Sequence, residues 1–181
     1  RSYVGTIVIN GGTINVKGGT YAAGIGGDCH NKDGGIITIN GGVVNARGGR
    51  KAAGIGSGLG GVDGGWFKGG VCGNITINGG QVSAWGGDGD WNIAGIGPGE
   101  AFRVPSMGTL TLGWTNAKDD FVYSTGYVSY PNEPRLKRGL TKITFNNPFI
   151  LDGTATIATR DNIGGWKIVP YISGQATLSR S

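Results

Sequence analysis

Pairs of glycines punctuate the first hundred residues at intervals of about seven, leaving room between them for segments of only four or five residues. From Thr6 the chain reads TIVINGG, TINVKGG and TYAAGIG, ending at Gly26; from Ile36 it reads IITINGG, VVNARGG and RKAAGIG, ending at Gly56; from Asn74 it reads NITINGG, QVSAWGG and DGDWNIAGIG, ending at Gly97. Asn10 to Gly24 and Asn40 to Gly54 are each 14 residues, whereas Asn78 to Gly95 is 17, with an insertion around Asp88–Trp91. Asn10 to Asn40 is 30 residues and Asn40 to Asn78 is 38, so length variation collects after AGIG. A degraded fourth copy begins at Thr109, where TLTLG keeps the alternation but loses the Asn and the double Gly.

Glycine at this frequency prevents a helix from propagating. It also supplies the left-handed conformations that turn a chain sharply. Between the glycines, residues alternate with period 2, as in Ile7-Val8-Ile9, Ile37-Thr38-Ile39 and Ile75-Thr76-Ile77, and that is the period of a strand. One coil of three short strands cannot bury its inner face, but coils stacked on one another can. The reading is therefore all-β: a parallel β-helix (β-solenoid) of three to four short coils with a C-terminal β-rich cap. The inward columns expected are Ile7/Ile37/Ile75, Ile9/Ile39/Ile77, Ile14/Val44/Val82, Val16/Ala46/Ala84 and Ile25/Ile55/Ile96, narrowed by Ala23/Ala53/Ala94. Asn10, Asn40 and Asn78 recur at one corner, where amides can form a structural ladder. Thr38, Thr76 and Thr111 share an outward column that begins with Val8, and ordinary strand preference accounts for it.

Composition separates this reading from a disordered glycine-rich linker. Gly supplies 40 of 181 residues, well above the usual roughly 7%. Hydrophobic residues still reach 38%, enough for a core. From Thr109 onward glycine thins. YVSYPNEPRLKR at Tyr127–Arg138 reads as an exposed loop. Ile143–Phe145, Phe149–Leu151, Thr154–Ala158 and Trp166–Val169 read as strands, with a hairpin turn at Asp152-Gly153. An open solenoid end needs covering. Residues 1–119 are accordingly assigned to the solenoid and 120–181 to the cap.

The net charge is +5, with 15% of residues charged, a balance that favours acidic partners. No basic cluster interleaved with aromatics points to nucleic acid, and Arg135, Lys137, Arg138 and Lys142 read as a solvated loop. No apolar run is long enough to cross a bilayer, and no signal peptide is present. Arg1 in place of an initiator Met points to a processed or excised chain. With His30 as the one histidine and Cys29 and Cys72 far apart, zinc lacks ligands. A disulfide between Cys29 and Cys72 and two separate thiols are both open.

The motif ITINGGxVxAxGGxxAAGIG, followed by a variable glycine-rich loop, resembles the repeat of cell-surface proteins of gut bacteria that are described as adhesin-like or carbohydrate-binding. LGWTNAKDDFVYSTGY at Leu112–Tyr127 resembles the segment that follows those repeats. The resemblance implies secretion to the extracellular side or the bacterial surface, a stalk or ligand-display role, and no catalytic residue.

Three loops leave the AGIG corner, at Gly27–Gly35, Ser57–Gly73 and Pro98–Gly108, and stacking would set them side by side. They carry Asp28, His30, Lys32, Asp33, Asp63, Trp66, Phe67, Lys68, Glu100 and Arg103. The third coil adds Trp85, Asp88, Asp90 and Trp91. Trp66, Trp85 and Trp91 offer plates for sugar rings, with Asp63, Lys68, Glu100 and Arg103 as polar partners. Packing over bare glycine backbone is the competing role for these Trp residues. Asp28/Asp33 or Asp88/Asp90 offer oxygens to calcium, although so few make a weak set; no other cofactor is expected. Asp63 and Glu100 could form a glycosidase pair, but nothing in their spacing demands it. Arg103 or Lys68 could act as a lyase base, and His30 has no recognisable catalytic partner. The leading expectation is a non-catalytic surface module that binds carbohydrate, either an acidic polysaccharide or a host or cell-surface glycan. A polysaccharide-active enzyme or its fragment and a structural spacer are the alternatives.

Overall fold

A computed structural model describes residues 5–28, 34–60, 62–63, 66–67, 72–89, 93–100, 108–125, 142–147, 149–151 and 165–170. No described residue is helical. The first coil consists of β1 (Thr6–Ile9), β2 (Thr13–Lys17) and β3 (Ile25–Gly26), and the second of β4 (Ile36–Ile39), β5 (Val43–Arg47) and β6 (Ile55–Gly56). A two-stranded excursion, β7 (Val62–Asp63) and β8 (Trp66–Phe67), precedes the third coil of β9 (Asn74–Ile77), β10 (Gln81–Trp85) and β11 (Ile96–Gly97). A fourth coil follows with β12 (Thr109–Leu112) and β13 (Phe121–Thr125). The remaining strands are β14 (Lys142–Phe145), β15 (Phe149–Leu151) and β16 (Gly165–Pro170).

The coils stack in register. The first sheet runs β1-β4-β9-β12-β14, all parallel, and the second contains β2-β5-β10-β13, also parallel. The third is the short ladder β3-β6-β11. Ile7↔Ile37↔Ile75↔Leu110, Val44↔Val82↔Val122 and Ile25↔Ile55↔Ile96 are successive Cα partners. Their side chains meet in one core, in which Ile37, Ile39, Ile55, Ile75, Ile77, Leu110 and Leu112 are fully buried. The fold is thus a parallel β-helix whose core holds the columns expected from the repeat. At the first corner, Gly12, Gly42 and Gly80 have φ of 86°, 91° and 96°. Beside them Asn40 Nδ2 donates to Asn10 Oδ1 at 2.8 Å, and Asn78 Nδ2 to Asn40 Oδ1 at 2.8 Å. The column is a hydrogen-bonded amide ladder.

The winding continues where glycine thins. The expected division at 119/120 falls between β12 and β13, inside the fourth coil. The degraded copy at Thr109 pairs with β9 from Thr109↔Asn74 to Leu112↔Ile77. It lacks the Asn-Gly-Gly corner, and Asp120 replaces it. Oδ1 of this buried carboxylate accepts the Gly80 N–H at 2.9 Å, and Oδ2 accepts the N–H groups of Thr115 and Asn116, each at 2.8 Å.

Among the described residues the third ladder ends at β11. Where a further AGIG strand would pair, Ser124 Oγ accepts the Ile96 N–H at 2.9 Å and the Thr125 carbonyl accepts the Gly95 N–H at 2.6 Å; just past β10, Thr125 Oγ1 accepts the Gly86 N–H at 2.9 Å. On the second sheet β16 pairs antiparallel with β13, and β15 antiparallel with β16. The strands expected in the cap thus appear as β14, β15 and β16. The Tyr127–Arg138 loop, the Asp152-Gly153 turn and the Thr154–Ala158 strand lie outside the described residues.

Candidate binding face

Strand alternation sends every second residue of the second sheet outward, and register then sorts those residues into columns. One column reads Lys17↔Arg47↔Trp85 and its neighbour Asn15↔Asn45↔Ser83↔Tyr123. Asn45 Nδ2 donates to Asn15 Oδ1 at 2.8 Å, a second amide ladder. The Trp85 and Tyr123 rings lie 6.0 Å apart, tilted by 54°. Asn15, Val16, Lys17, Asn45, Arg47 and Trp85 line an open hollow of about 430 Å³. That volume falls within the roughly 300–1,000 Å³ common for small-ligand sites. Lys17 and Arg47 are exposed, and the ion pair among the described residues lies elsewhere, between Lys51 and Glu100. Farther along the face the Lys167 ammonium sits 4.8 Å from the Phe121 ring centroid.

These residues set apolar ring faces, amides and positive charge side by side on one surface. An indole and a phenol offer apolar faces with polar tips. Amides offer both donors and acceptors, and an ammonium and a guanidinium add charged donors. The repeat itself carried the signal for this face. TINVK, VVNAR and QVSAW occupy one slot of the repeat, so Lys17, Arg47 and Trp85 fall in line once the copies are aligned. Lys17, Arg47, Asn15, Asn45 and Tyr123 stand on the strands of the winding, outside the variable loops that hold most of the sequence-derived candidates.

Asp63 on β7 pairs with Trp66 on β8. Lys68, Trp91 and Arg103 lie outside the described residues, as do His30, Lys32, Asp33 and Asp90. Asp28 and Asp88 are among the described residues, while Asp33 and Asp90, proposed to share calcium with them, are not. Glu100 is not a surface carboxylate. It is buried, and its Oε1 lies 2.7 Å from Lys51 Nζ, because the chain after the third AGIG runs back across the second coil, with the Glu100 N–H donating to the Lys51 carbonyl at 2.9 Å. Cys72 is a free, buried thiol within the core cluster, and Cys29 lies outside the described residues. Burial pushes the Cys72 thiol up to about 12, against a smaller opposing effect of a hydrogen bond from the Gly108 backbone.

The family model described as "Beta helix repeat" matches residues 7–29, 37–59 and 75–100, one stretch in each of the first three coils. No curated protein and no solved structure matches the chain. The matched stretches and the in-register parallel coils agree: this chain is a repeat β-helix protein.

Proposed function

We propose that this chain is a non-catalytic, extracellular surface module that binds glycan on the outer face of its second sheet. The observation that carries the reading is the placement of Trp85 and Tyr123, ring beside ring, next to the Asn15–Asn45 ladder and the exposed Lys17 and Arg47. Sugars present a C–H face that an aromatic ring covers and hydroxyls that amides bind. A hydrogen-bonded sheet holds both in fixed positions, which lowers the ordering cost of binding. The resemblance of the repeat to adhesin-like surface proteins supports the same reading and the extracellular location.

A glycan array probed with the wild-type chain and with Trp85→Ala tests it. Binding by the wild type, lost in Trp85→Ala with an unchanged melting temperature, is the expected result. Silence of the wild type across neutral and acidic glycans would reduce the module to a spacer. Binding abolished by Trp66→Ala or Trp91→Ala but kept in Trp85→Ala would move the site to the loops.

A further inference from the structure

Charge on this face repeats in one direction only. Across the strands, Lys17 and Arg47 are direct Cα partners, and Trp85 continues the column. Along each strand the next outward positions are Asn15 and Thr13, or Asn45 and Val43, all uncharged. No Asp or Glu stands at an outward position of β2, β5, β10 or β13. Neighbouring strands lie ~4.8 Å apart, close to the advance of one sugar in an extended polysaccharide. The bond within the second amide ladder uses one Asn45 N–H and Asn15 Oδ1, leaving the Asn15 N–H groups and Asn45 Oδ1 to face outward hydroxyls.

We propose that the ligand is an anionic polysaccharide laid across the strands, one sugar per coil, with successive carboxylates on Lys17 and Arg47 and a third sugar ring on Trp85. The proposal rests on the glycan-binding reading above and adds charge class, direction and register to it. A single-stranded nucleic acid would favour a base-stacking ring at each step. Here the rings gather at one end of the column, with Trp85 and Tyr123 tilted by 54° to each other.

Titration calorimetry of the whole chain with polygalacturonate, its methyl-esterified form, defined galacturonate oligomers and oligothymidylate tests the proposal. The acid polymer is expected to bind about tenfold more tightly than the ester, with that advantage shrinking as salt rises. The trimer should approach the hexamer in affinity, while the dimer falls well behind. Lys17→Gln and Arg47→Gln should each weaken the acid polymer by about threefold and the ester by less. Equal affinity for acid and ester would overturn the charge class while leaving glycan binding intact. Loss confined to one of the two cation variants would overturn the alignment along the stack. Tighter binding of oligothymidylate would overturn the proposal in favour of nucleic acid. Failure of the wild type to bind any glycan would remove both readings together.

Discussion

Asp120 Oδ1 accepts the Gly80 N–H at 2.9 Å across 40 residues of sequence, while Oδ2 of the same carboxylate accepts two further backbone N–H groups. One side chain thus closes the corner of the fourth coil that Asn-Gly-Gly closes in the first three. Asp120→Ala leaves the buried Gly80 N–H unmet, with the more exposed Thr115 and Asn116 donors turning to water, and should cost about 1–3 kcal/mol in urea denaturation. Asp120→Asn should also destabilise, because whichever way the amide is turned its NH₂ faces a donor.

The third face tolerates no side chain at its glycines. Gly56 has φ of 135°, and a Cβ there would overlap the Gly97 carbonyl oxygen of the next coil. Gly56→Ala should lose more than about 3 kcal/mol or fail to fold. Gly11→Ala, with nothing within 4 Å of the new methyl group, should stay within about 0.5 kcal/mol of wild type. Thermal melting of the two variants side by side checks the contrast.

Lys51 combines a left-handed backbone, φ 62°, with a buried ion pair to Glu100 at 2.7 Å. Glu100→Gln removes a carboxylate from beside a buried ammonium and should destabilise the fold, as should Lys51→Met, which removes the ammonium from beside the carboxylate. The double variant should lose less than the sum, which a denaturation cycle measures. Since this pair lies in the interior, Glu100→Gln should leave glycan affinity unchanged.

Cys72 makes alkaline stability a readout of the core. Its thiol titrates at about 12 when folded, against 9.0 for an unperturbed thiol. The folded state therefore holds its proton through a window in which the unfolded state loses it. The stabilisation is complete below about pH 9 and is lost as pH rises from there toward 12, by at most about 4 kcal/mol. The stability difference between wild type and Cys72→Ala should shrink across that window, and alkylation of the native thiol at pH 8 should be slow.

Much of the winding was legible in the chain because its signals are local and repeated. Ile7, Ile37 and Ile75 alternate with outward residues at matching distances from a glycine pair, so their stacking follows from period and register alone. Asn10, Asn40 and Asn78 could be aligned for the same reason. Asp120 and Ser124 could not, since each occurs once and meets partners, Gly80 and Ile96, that only stacking brings near. The reversed direction of β16 is likewise invisible, because alternation looks the same in parallel and antiparallel strands. Glu100 misled for a related reason. An acidic residue in a glycine-rich loop looks solvated until Lys51, 49 residues earlier, comes beneath it.

The Ser124 and Thr125 plug on the third face gives the winding a polarity. Below it, one coil can be exchanged for another of the same kind, because every rung offers the same backbone groups to the next. Above it, among the described residues, only the first two walls go on, so a coil duplicated there would build on those two. Engineered lengthening of the molecule is therefore confined to positions between the existing AGIG rungs, each insertion adding one rung to all three walls and one step to the column of Lys17 and Arg47.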